Sequence, residues 1–188
     1  FLSDKFSSHH MNFARKENND FVDITRIYLN ELFKNNLKST GDECLILDQA
    51  IPTFNSQRAL SYLESSKLII VDRDPRDIYV DLINNNALMG SETHGISRAK
   101  KYVLWHETLR HFKPNESENI LHLNFEDLIK NESLTIEKLK GFLNLSQEFS
   151  DKKSLQLEKS SENIGLWKNF KFSKEIEYIE YNLKEFIR

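Results

Sequence analysis

Residues 67–81 read KLIIVDRDPRDIYVD, an apolar run that stops at a cluster of charges and a proline. Leu68, Ile69, Ile70 and Val71 are mostly β-branched and uninterrupted by polar residues, the pattern of a strand buried on both faces in a parallel sheet. Asp74 is suited to cap a helix, Pro75 to its first position, and Asp77 falls in its first turn. The stretch therefore predicts a strand that feeds directly into a helix. In open parallel sheets, ligands sit at that carboxyl edge. Arg73 stands at the junction, beside free backbone N–H groups and a helix N-terminus, where an arginine suits a phosphate. An Arg–Asp network that ties down the loop is the alternative reading.

The 188 residues, 39% hydrophobic and 29% charged, are enough for one domain with a sizeable core. The net charge of −3 argues against a general nucleic-acid binder. Cys44 is the only cysteine, so neither an internal disulfide nor a cysteine metal cluster can form. No apolar run approaches the length of a membrane span, and a cytoplasmic setting is expected. Asn-, Lys- and Ile-rich usage suggests an AT-rich, bacterial genome.

Outward from this stretch, Val22, Ile24, Ile27, Tyr28, Leu32 and Phe33 predict a helix from Phe21 to about Phe33, with a polar turn from Asn35 to Gly41. Cys44 to Leu47 is a second strand-like run, ending at Asp48 and Gln49. Pro52 closes its loop, and Ser56 to Leu63 reads as a short helix, giving a βαβ unit with the strand at Leu68. On that topology Asp48 shares a crevice with Arg73. The helix after Arg73 is expected to end near Asn84 or Asn86. Residues 87–96 read as a loop carrying His94, a solvated histidine or a base. Ser97 to His111 reads as a long helix with Tyr102, Trp105, Leu109 and Phe112 as its inward stripe. Ile120 to Asn124 is a third strand, with His122 as a core histidine, and Ile136, Leu139, Phe142 and Leu143 mark another helix. Residues 147–162 are polar. The final helix, Ser173 to Ile187, places Ile176, Ile179, Leu183 and Phe186 on one face and its acidic residues in solvent. His9 and His10 have no third ligand at a sensible spacing, so no metal site is expected.

Two motifs carry a family resemblance. Arg73, Pro75 and Asp77 resemble the Arg-x-Pro-x-Asp segment with which sulfotransferases grip the 3′-phosphate of 3′-phosphoadenosine 5′-phosphosulfate (PAPS). Gly165, Trp167 and Lys168 resemble the Gly-x-Trp-Lys stretch that closes the same pocket. Glu126-Asp127-Leu128 after the third strand keeps the family's order. The resemblance covers residues 44–187. It implies a single domain with a three-layer, P-loop-like α/β fold and a central parallel sheet in which Leu45–Leu47, Leu68–Val71 and Ile120–Leu123 are neighbours. It also implies sulfuryl transfer from PAPS to a hydroxyl-bearing acceptor; the polar, carboxylate-rich loops suit a glycan.

The chain departs from the family in three places. The serine expected eight residues after Arg73 is Asp81. The basic segment before Gly165 is replaced by Ser160-Ser161-Glu162, whose hydroxyls could still donate to a phosphate. The Gly- and Lys-containing loop that cradles the 5′-phosphosulfate has no counterpart before Phe21, so the chain is expected to begin just after that unit, or else to have lost cofactor binding. No histidine follows the run at Cys44–Leu47, which leaves Asp48 as the candidate base, or as a simple cap of the following turn. A small-metabolite kinase of related fold and a non-catalytic nucleotide-binding or partner domain are the competing functions.

Overall fold

The computed structural model describes residues 18–40, 44–48, 51, 56–88, 95–145 and 156–187. His9, His10, Gln49, Pro52, His94 and most of the polar stretch after Leu145 lie outside them. The chain divides into two compact units, residues 1–66 and 67–188.

In the first unit, helix α1 spans Asn18–Thr40, and α2 spans Ser56–Leu60. α1 runs a full turn and more beyond the expected stop at Asn35. Polarity alone does not end a helix where glycine and proline are absent. Asn36 donates to the Leu32 carbonyl at 2.9 Å, and Lys38 sits in the last turn, where a cation is favourable. Arg26 donates to the Ser61 carbonyl at 2.8 Å, and Phe21 meets Tyr62 edge-on. The strand expected at Cys44–Leu47 does not form. Ile46 is 88% exposed, and an apolar run becomes a strand through burial and a pairing partner rather than through propensity. The βαβ unit expected there is therefore absent.

The second unit holds the parallel pair. β1 (Leu68–Asp72) and β2 (Ile120–Asn124) run in parallel with Leu68 opposite Ile120 and Asp72 opposite Asn124. Among the described residues these two strands make up the sheet. A parallel pair needs a long crossover, and here it contains α3 (Pro75–Asn84) and α4 (Ile96–His111). After β2 come α5 (Phe125–Lys130), α6 (Glu132–Leu143), α7 (Leu157–Ser161), a 3₁₀ turn at Leu166–Asn169, α8 (Ser173–Asn182) and a last 3₁₀ turn at Lys184–Phe186. The result is a mixed α/β unit with a small parallel sheet.

The core joins α3, α4 and α8 through Tyr79, Val80, Ala99, Tyr102, Val103, Ile176, Ile179 and Leu183. Tyr102 behaves as expected, but Trp105 and Phe112 do not: they are 44% and 54% exposed. The inward face of α4 is Arg98, Ala99, Tyr102, Val103 and His106. It could not be recognised by hydropathy because an arginine and a histidine belong to it. Burial, then the charge of Arg110, pushes the His106 imidazole down to about 4, so it is neutral at pH 7. Burial, then Lys113, likewise lowers His122, whose Nε2 is buried without a partner among the described residues. The expectation that acidic residues of the last helix are all solvated also fails. Glu175 is 2% exposed and accepts from Arg98 Nη2 at 2.8 Å and from the Tyr79 hydroxyl, while Arg98 Nε donates to that hydroxyl at 3.0 Å. Desolvation, then the Glu175 hydrogen bond, raises the Tyr79 phenol well above its ordinary range and keeps it protonated.

Candidate nucleotide site

Because β1 and β2 are parallel and in register, Asp72 and Asn124 end side by side and both chains turn into helices there. At the first junction the Asp74 carboxylate accepts the Arg76 N–H at 2.9 Å, the N-cap read from the sequence. The backbone N–H of Asp74 donates to Glu126 Oε1 at 2.8 Å, so the first turn of α5 fastens the start of α3. Arg110 Nη2 reaches Asp72 at 2.7 Å, and Lys113 pairs with the same carboxylate, which anchors the end of β1 to α4.

Arg76 is buried and its guanidinium is forked onto Asp74, Nε to Oδ1 at 3.0 Å and Nη2 to Oδ2 at 2.7 Å. Burial alone would lower its pKa; the hydrogen bond and charge of Asp74, with Glu180 and Asp77, outweigh burial and raise it. Its guanidinium lies 4.0 Å from the Trp167 ring centroid, a cation–π contact.

Asp77 links the two motifs, which lie 90 residues apart. It is 1% exposed, and its carboxylate accepts the Gly165 N–H at 2.8 Å and the Trp167 N–H at 3.2 Å. A carboxylate that takes two backbone N–H groups fixes the turn at Leu166–Asn169 against the start of α3. Gly165 has φ of 81°, in the left-handed region, and a Cβ there would come within 3.3 Å of the Lys168 side chain. The positive φ is what favours glycine here; the flexible Lys168 side chain could shift to admit a Cβ. Asp74, Arg76, Asp77, Glu126, Lys130 and Lys168 contribute to the wall of a small cavity of about 190 Å³ beside this turn. Glu126 is buried there, and its Oε2 has no partner among the described residues.

Arg73 lies on the neighbouring side of the junction. Its Nη1 pairs with Asp81 Oδ2 at 3.0 Å, its Nη2 donates to the Asn163 carbonyl at 2.7 Å, and its guanidinium sits 5.3 Å from the Phe125 ring centroid. The Arg–Asp network weighed at the sequence level is thus present, and it ties α3 to the segment that precedes Gly165.

Of the residues singled out in the sequence, Arg73 and Asp81 are brought into contact. Gly165 and Trp167 are clamped by Asp77, with Lys168 beside them. Ser160 and Ser161 close α7; the Ser161 hydroxyl donates to the Glu158 carbonyl at 2.6 Å, within its own helix. Asp48 is exposed at a bend in the first unit and follows no strand. Asp77 and Glu126 were legible as motif members but not as the residues that hold the site together. Both are carboxylates at the first turn of a helix, and the sequence could not show which distant N–H groups they accept. Among the described residues no cluster of potential ligands could hold a metal ion, and no helix is long and apolar enough to cross a membrane.

Two parallel strands with a shared carboxyl edge, a capped helix and a clamped Gly-x-Trp-Lys turn define an α/β domain. A family model described as the sulfotransferase domain matches residues 53–185, and the chain belongs to that family. Family membership supports sulfuryl transfer in general and a hydroxyl-bearing acceptor. No curated protein and no solved structure matches the chain. The match begins beyond Asp48.

Proposed function

We propose that this protein transfers a sulfuryl group from PAPS to a hydroxyl of a carbohydrate, with the donor's adenosine end held between Arg73 and the Gly165–Lys168 turn. The observation that carries the reading is the Asp77 clamp, which joins the two nucleotide-gripping motifs into one edge. In this reading β1 and β2 belong to the central sheet of a three-layer, P-loop-like domain. PAPS supplies the sulfuryl group. Arg73 meets its 3′-phosphate. In this reading the Ser160 and Ser161 hydroxyls turn to the same group, Ser161 releasing the Glu158 carbonyl to do so, and Lys168 adds charge at the turn that covers it. The polar, carboxylate-rich loops suit a glycan.

The test is incubation with ³⁵S-labelled PAPS and a panel of glycans and phenols. Label is expected in a glycan, with PAP (3′-phosphoadenosine 5′-phosphate) as the second product. Absence of transfer to any acceptor, with phosphoryl transfer from labelled ATP in its place, would make the protein a kinase.

A further inference from the structure

We propose that Asp81 is a resident counter-anion of the Arg73 site and sets how little a phosphate at that site contributes to nucleotide affinity. The inference rests on the nucleotide reading above and names a specificity determinant within it. Three observations carry it. First, both terminal nitrogens of Arg73 are engaged, one by the Asp81 carboxylate at 3.0 Å and one by the Asn163 carbonyl at 2.7 Å. Second, Asp81 is held at its other oxygen too: Asn85 Nδ2 donates to Oδ1 at 2.8 Å, from the residue that caps the end of α3. The carboxylate is therefore seated, not merely nearby. Third, the Arg73 side chain is 17% exposed and that of Asp81 43% exposed, so Asp81 is the more solvent-facing member of the pair.

An incoming phosphate meets the carboxylate and has two routes. It can displace Asp81, which breaks a charge-assisted bond and the Asn85 contact, or it can settle beside a like charge in a partly desolvated place. Either route subtracts from what the arginine offers. A ribose hydroxyl is under no such penalty, because a carboxylate accepts a hydrogen bond from it. Carboxylates that select a sugar hydroxyl, where an arginine selects the phosphate, use this same contrast. The Arg73–Asp81 pair combines the two, and an adenylate with a 3′-phosphate should bind little better than one without.

The test is calorimetry of the full chain with PAP and with adenosine 5′-monophosphate, in the wild type, Asp81→Asn and Asp81→Ser. Asp81→Asn keeps the shape and removes the charge, which separates electrostatics from packing. The wild type is expected to prefer PAP by less than about tenfold. Both variants are expected to raise that preference by about tenfold or more, with the monophosphate little changed and the gain shrinking as salt rises. An unchanged preference, a parallel gain for both nucleotides, or weaker PAP binding in both variants would overturn the proposal while leaving the nucleotide site in place. If neither nucleotide binds any of the three proteins, the nucleotide reading itself fails, and this inference with it.

Discussion

Replacing Asp77 by alanine is expected to lower the melting temperature by about 6–12 °C and to free the Gly165–Lys168 turn. The carboxylate is 1% exposed and accepts two backbone N–H groups. Hydrogen bonds to a charged group contribute roughly 1.5–3 kcal/mol each, and the loss leaves the Gly165 and Trp167 N–H groups without their acceptor. Two such bonds amount to about 3 kcal/mol at the low end, and each kcal/mol shifts the midpoint by roughly 2–4 °C for a chain of this size. The local readout is Trp167. The chain has 2 tryptophans, so a Trp105→Phe background isolates its emission. Arg76 no longer has a fixed ring to stack on once the turn is released, and the emission should move to the red. PAP affinity should fall in the same variant. An unaltered midpoint with unaltered Trp167 emission would show that the turn is held by something other than Asp77.

Glu175→Ala is expected to be the most destabilising single change in the second unit, by about 3–5 kcal/mol, the usual cost of removing one partner from a buried ion pair. Glu175 and Arg98 are 2% and 6% exposed, and Tyr79 is wholly buried beside them. Without the carboxylate, a guanidinium and a phenol hydroxyl face an apolar core. The charge, not the volume, is the cause, and a second variant separates the two. The pair Arg98→Met with Glu175→Leu should recover most of the loss, because well-packed apolar side chains can replace a buried ion pair at little cost. Urea unfolding of the three proteins measures both effects. A loss below about 1 kcal/mol for Glu175→Ala, or a double variant no better than the single, would contradict this account of the core.

How much of this was legible beforehand follows from the range of the interactions. β1, β2 and the start of α3 were readable because their signals are local: a β-branched run, an acidic cap and a proline at the first helical position. The parallel pairing of the two strands was implied by the family resemblance, but β1 is not buried on both faces as its apolar run suggested: Val71 is 56% exposed. What failed was long-range. The run at Cys44–Leu47 carries the same local signal as β1 but pairs with no strand among the described residues, and Ile46 stays in solvent. The inward face of α4 was misread because Arg98 and His106 are buried through partners on other elements, Glu175 and Phe186. Glu175 looked like any surface glutamate for the same reason. At the site, Arg73 was singled out by its place at a strand–helix junction and the Gly-x-Trp-Lys residues by the family resemblance, and the Arg–Asp network was the alternative reading at Arg73. The clamp between the two motifs was not legible, since nothing in either motif points to a partner 88 residues away in the chain.

The most direct measurement is amide hydrogen exchange of the full chain with and without saturating PAP. If the two motifs form one nucleotide edge, exchange should slow together at residues 73–78 and at residues 163–168. Protection of neither segment, or protection confined to other parts of the chain, would contradict the account.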